Sequence, residues 1–230
     1  MPPAEFHAFG PSHTAVLGIC AVLFIVMFRL RQVGLPAAVW LERTLGALLL
    51  LCWPLTLLMH WRLGSLSLDR GGLPFHFCDV AGMASGLVLL TRHRLAAEIA
   101  YFFGLAGTLQ GLITPNLFFD FPDPRFVTFF LLHGGVVVSA LHAVTALGCS
   151  PRQGAVPRMI CVTLAYAAFA ALINKALGTN FGFLCHKPDQ ASLMDSLGPW
   201  PWYIGSMVIL CGVFYSVLNA PFALTRRRQR

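Results

Sequence analysis

Charge is scarce in this chain. Lys, Arg, Asp and Glu make up 11% of its 230 residues, against about 25% in a typical soluble domain. That scarcity excludes a soluble globular fold and, equally, a disordered one. The seven cysteines include no CxxC pair, so neither a disulfide scaffold nor a redox dithiol is indicated. No basic segment precedes the first apolar stretch, whereas Arg29 and Arg31 follow it. A cleaved signal peptide has the opposite order, so a first helix retained in the membrane is expected. Internal repeats of the inverted-transporter kind are missing. The surplus of arginine, with a net charge of +7, comes without the interleaved basic and aromatic residues of a nucleic-acid groove. No nucleic-acid partner is expected.

What is present is apolar: 57% of residues are hydrophobic and the mean hydropathy is +0.72. Seven windows, near 14–28, 44–61, 75–90, 95–114, 126–147, 156–177 and 200–224, approach the ~20 residues that cross a bilayer. The fold class read from them is all-α, one integral membrane domain over 1–230. Alternate loops divide the basic residues unevenly. Arg29, Arg31, Arg43, Arg92, Arg94, Arg152, Arg158 and the terminal Arg226, Arg227, Arg228 and Arg230 fall on one side. Arg62, Arg70, Arg125, Lys175 and Lys187 fall on the other, with Asp69, Asp120, Asp123, Asp189 and Asp195. The positive-inside rule then gives seven spans with the N-terminus outside and the C-terminus inside. A bacterial inner membrane is the expected location. Small residues recur at helical spacing, as in Cys78, Gly82, Ser85 and Gly86, and in Gly104, Thr108 and Gly111 with its GxxxG at Gly107. By default such faces let helix backbones approach one another.

Polar residues at membrane depth are costly and therefore mark candidate sites. Those near the outer side are His76, Cys78 and Asp79; Gln110, Thr114 and Asn116; His133; and Asn174, Asn180, Cys185 and His186. His60 and His142 receive no role. Cys78 and His133 stand out by depth. Four residues past Pro74 puts the thiol about 6 Å in, and eight past Arg125 puts the imidazole about 12 Å in. Both lie on helices entering from outside, so they can meet near the level of lipid ester carbonyls. An imidazole that deprotonates a thiol makes a nucleophile able to carry an acyl group with no cofactor. Asp79 could orient His76 or bind a head group, and Gln110 and Thr114 could donate to an oxyanion. Two other readings stay open at this point. His76, Cys78, Asp79, His133, Cys185 and His186 could ligate zinc, although no spacing matches a zinc motif. Cys78 and Cys185 could form a disulfide.

The segments 73–82 (LPFHFCDVAG), 101–117 (YFFGLAGTLQGLITPNL), 129–135 (FFLLHGG), 178–188 (GTNFGFLCHKP) and 192–204 (SLMDSLGPWPWYI) resemble the YwaF-like integral membrane family of bacteria. That family is related to animal transmembrane protein 164, a cysteine-dependent acyltransferase of ether phospholipids. It is distantly similar to the androgen-induced polytopic lipid hydrolases. The resemblance implies acyl transfer or ester hydrolysis on a phospholipid or lysophospholipid, with Cys78 as nucleophile and His133 as its histidine. Its implied partners are membrane phospholipids and their acyl chains. Asn116, Asn180 and Asp195 also stand in family-like motifs. The competing expectation is a carrier that holds a lipid or small molecule in the same outer pocket without chemistry.

Overall fold

The computed structural model describes residues 4–69 and 71–228. Arg70 and Arg230, counted above among the loop and terminal charges, lie outside the described residues. Seven apolar helices follow one another: α1 (Pro11–Gln32), α2 (Pro36–Arg62), α3 (Phe77–Thr91), α4 (Arg94–Ile113), α5 (Pro124–Thr145), α6 (Ala155–Leu177) and α7 (Trp202–Arg228). Proline opens α1, α2 and α5, where its missing N–H would have no helical acceptor anyway. Asp123 caps α5 by accepting from the Arg125 N–H at 2.8 Å. Gly154 and Gly178 bracket α6 with left-handed φ values of 72° and 67°, a conformation that glycine adopts without strain.

Among the described residues, six helices are long and apolar enough to span a bilayer, and α3 with its 15 residues is not. It measures about 22 Å against a hydrocarbon layer of ~30 Å. The sequence places its start at 75, whereas the helix begins at Phe77. Residues after Pro74 stay extended because His76 is the N-cap (φ −69°, ψ 154°), and Asp79 accepts its backbone N–H at 2.9 Å.

The short helix is the centre of the bundle, packed by α2, α4 and α5, while α1 covers α5 and α2. Lipid tails are as apolar as leucine, so association rests on close dispersion contact through small residues. A Cβ on Gly86 would lie 2.8 Å from the Gly46 carbonyl oxygen, so α2 and α3 touch backbone to backbone there. Gly104 similarly admits Val136 and Ala140 of α5. Helices α6 and α7 pack on each other and meet the other helices mainly through α4.

The α3 C-terminus is fixed by charge. Arg92 ends the helix in a left-handed turn and donates to Glu42 Oε2 at 2.5 Å. His142 Nε2 donates to Glu42 Oε1 at 2.9 Å, and Arg31 lies 3.9 Å away. His142, given no role from the sequence, is thus part of a buried ionic centre. A second centre holds Glu98 with Arg152 and Arg158 through side-chain bonds of 2.8–3.1 Å. Arg226 of α7 donates to the Pro151 carbonyl at 2.7 Å. The basic end of the bundle is therefore not a row of free arginines. Two buried glutamates neutralise part of it, while Asp69, Asp120, Asp123, Asp189 and Asp195 keep to the loops of the other end. Glu42→Ala leaves Arg92 and His142 without their acceptor. Breaking a buried pair costs about 3–5 kcal/mol, and the one-third exposure of Arg92 puts the expected loss at the lower end. Thermal unfolding in detergent measures it.

Candidate functional site

A cavity of about 760 Å³ opens at the end of the bundle opposite the ionic centres. Of the eleven outer polar residues singled out above, nine line it: Cys78, His133, His76, Asp79, Gln110, Thr114, Asn116, Asn180 and His186; Asn174 and Cys185 do not. Its walls are apolar along Phe77, Leu132, Tyr166, Val208 and Phe214 and polar toward the loops. That combination, mostly apolar with a few convergent polar groups, is the usual make-up of a ligand pocket.

Cys78 occupies the first turn of α3. It is nearer the helix start than Pro74 suggested, because the helix begins two residues later than expected. The first-turn N–H groups of a helix have no acceptor one turn back, and here the Asp79 N–H goes to the His76 carbonyl at 3.0 Å. Phe77 fixes the turn by stacking on Phe103 (centroids 3.9 Å, 19°). Tyr166 of α6 donates its hydroxyl to the Phe75 carbonyl at 3.0 Å.

His133 sits about 14 Å along α5 and is 8% exposed. Its Nδ1–H donates to the Phe129 carbonyl at 2.8 Å, and its ring stacks on Phe129 at 3.9 Å. That bond leaves Nε2 as the basic nitrogen, directed at α4. A Cβ on Gly111 would lie 2.9 Å from Nε2, and one on Gly107 would lie 2.5 Å from the Phe77 ring. The GxxxG pair, expected to bring helix backbones together, instead makes room for an aromatic ring and an imidazole. Among the described residues no hydrogen bond joins Cys78 to His133. Contacts of this kind often tighten only when substrate is bound.

The remaining candidates divide by what they bond. Asp79 takes the His76 backbone N–H and not its imidazole. The His76 ring instead donates from Nε2 to the Asp69 carbonyl at 2.9 Å and meets Phe181 edge-on. Thr114 returns its hydroxyl to the Gln110 carbonyl at 2.9 Å, so it has no proton for an oxyanion. The Gln110 carboxamide has no partner among the described residues. Asn116 accepts from the Gln190 N–H at 3.3 Å, tying the α4–α5 loop to the α6–α7 loop. Asn180 folds that second loop, accepting from Cys185 N–H at 2.9 Å and donating to the His186 carbonyl at 2.9 Å. Asn174 does the same one turn earlier through Thr179 and Phe181. At the rim, Arg125 grips Asp123 with two side-chain bonds and holds that carboxyl below the usual carboxylate range. The same guanidinium lies 3.2 Å above the Phe119 ring.

Cys78 and Cys185 are both free thiols. Among the described residues no three His, Cys, Asp or Glu side chains converge as a metal site would need. One feature escaped the sequence reading: α4 contains a π-turn over Gly104–Thr108, where Thr108 donates to the Phe103 carbonyl five residues back. Paired glycines flanking a polar residue were its only signal.

The fold and its half-apolar cavity define a polytopic helical membrane protein. The chain belongs to the TMEM164 family, whose family model matches residues 7–218. No curated protein and no solved structure matches it significantly.

The close approach at Gly111 is testable without any assay of activity. Gly111→Ala overpacks the His133 ring and is expected to cost about 1–3 kcal/mol. Gly205, which has nothing within 4 Å of its Cβ position, is the control. Gly205→Ala should leave the melting temperature unchanged or raise it.

Proposed function

We propose that this protein is a membrane-embedded, cysteine-dependent acyltransferase or lipid ester or thioester hydrolase acting on phospholipid or lysophospholipid. One observation carries the reading: a thiol in the first turn of α3 and an imidazole with a free basic Nε2 line the same partly apolar cavity. Membership of the TMEM164 family is consistent with work on lipids. Kinship with the YwaF-like family and the androgen-induced hydrolases belongs to the same proposal.

In this reading His133 Nε2 takes the Cys78 thiol proton as the sulfur attacks the acyl carbonyl carbon. The carbon–oxygen bond to the leaving alkoxide breaks, and the imidazolium returns its proton to that oxygen. A Cys78 thioester remains. Water or the hydroxyl of a lysolipid then attacks the thioester. His133 takes that proton and hands it to the departing sulfur, which restores the thiol. No cofactor is required. The arginine-rich end faces the cytoplasm of a bacterial inner membrane, so the cavity opens toward the outer leaflet.

A non-enzymatic carrier is the second reading, favoured by the missing hydrogen bond between Cys78 and His133. Covalent labelling separates the two. A lipid-like ester probe is expected to acylate the wild type at Cys78 and not Cys78→Ser. His133→Ala should slow acylation about 10²-fold while leaving the protein folded. Labelling insensitive to both changes, with lipid movement at the wild-type rate in Cys78→Ala, replaces the enzyme by the carrier.

A further inference from the structure

Among the described residues, helix α4 presents to the cavity one polar side chain that the fold leaves unused. The Gln110 carboxamide lines it without a hydrogen-bond partner among the described residues, while its own backbone carbonyl is occupied by Thr114. Two contacts locate this residue. Three positions before it, Gly107 abuts the Phe77 ring, next to the Cys78 nucleophile. One position after it, Gly111 abuts the His133 imidazole. Gln110 therefore stands on the turn of α4 between the thiol-bearing helix and the base. The π-turn immediately before it matters for the same reason. An inserted residue turns every later side chain by about 100° around the axis, and that rotation sets which residue of α4 faces the gap.

A thioester-forming step puts negative charge on the carbonyl oxygen of the tetrahedral intermediate. That charge needs a donor fixed in advance. We propose that Gln110 is this donor: its carboxamide N–H bonds the oxyanion formed on the acyl carbon at Cys78. Thr114, the other candidate on this helix, is excluded because its hydroxyl proton goes to the Gln110 carbonyl. The proposal rests on the Cys78–His133 reading. It adds no reagent to the balance: Gln110 accepts no proton and forms no bond beyond the hydrogen bond to the oxygen.

Two reactions at the same sulfur test it. Acylation by a p-nitrophenyl ester passes through an oxyanion, whereas alkylation by iodoacetamide is a direct displacement at carbon and forms none. Both are followed at the Cys78 peptide by mass spectrometry, since Cys161 and Cys185 are exposed and also react. Gln110→Ala is expected to slow acylation about 10²–10³-fold and leave alkylation at the wild-type rate. Gln110→Met, close in size, uncharged and without an N–H, should behave the same way and covers the case where the smaller residue disturbs folding. If both reactions slow together, Gln110 only supports the helix and the proposal is overturned. It is overturned equally if neither slows. His133→Ala separates this outcome from failure of the dyad: a working base slows both reactions when removed. If His133→Ala changes neither rate, or the wild type is not acylated at Cys78, the dyad falls and takes Gln110 with it.

Discussion

Everything at the cavity end follows from one short helix. The seven helices pack side by side, but α3 supplies only 15 residues. Its C-terminus is held at the arginine end by the bond from Arg92 to Glu42. The whole shortfall in length therefore appears at the other end, inside the bundle. A helix terminus that would otherwise meet head groups ends among the walls of α2, α4, α5, α6 and α7, and the space beyond it is the cavity. The N–H groups at a helix start lack acceptors one turn back, so the region must stay polar although it lies below the surface. The Asp79 carboxylate taking the His76 N–H and the His76 carbonyl taking the Asp79 N–H meet part of that requirement. The thiol of Cys78 sits in what remains.

Helix α4 converts this space into a site of defined shape. Membrane helices commonly use glycine to bring backbones together, and Gly46 against Gly86 does so. Gly107 and Gly111 serve differently, each receiving the flat face or edge of a ring from a neighbouring helix. The imidazole is thereby wedged between α4 and the Phe129 ring, with its tautomer set by the Phe129 carbonyl. The π-turn over Gly104–Thr108 changes the angular phase of α4 part-way along. Its lower half packs on α5 through Gly104, and its upper half turns toward the cavity.

The outline of the fold was readable because hydrocarbon imposes a length and a composition on each span. All seven windows are helices, and their ends lie within a few residues of the expected positions except at the start of α2, which begins at Pro36 and not near 44. The gathering of Cys78, His133 and the amides at one end was readable from the loop alternation. Three things were hidden. The stop at Phe77 depends on Asp79 folding back onto His76, a local cap that the apolar run obscures. The pairing of Glu42 with Arg92 and His142 joins residues 50 and 100 positions apart. Such pairing carries no periodic signal and made the basic end look like free charge. The use of Gly107 and Gly111 could not be read at all, since a glycine in the sequence does not say whether a backbone or a ring will fill its space.

The α6–α7 pair bears on the site in a way its few helix contacts conceal. These two helices meet the others mainly through α4, yet their side chains converge on the residues just before Cys78. Tyr166 bonds Phe75, Phe169 and Phe181 meet the Phe75 ring edge-on, and Phe181 and Phe183 flank His76. The connecting loop is fixed internally by Asn174 and Asn180 and tied across the cavity by Asn116. One rigid unit thus supplies a wall of the cavity, part of its cover and the clamp on the α3 N-terminus. A displacement of that unit changes access to the cavity and the surroundings of Cys78 together, because the unit carries the Tyr166 bond to Phe75 and the aromatic contacts on Phe75 and His76, while His76 is held from its own side by Asp79 and Asp69.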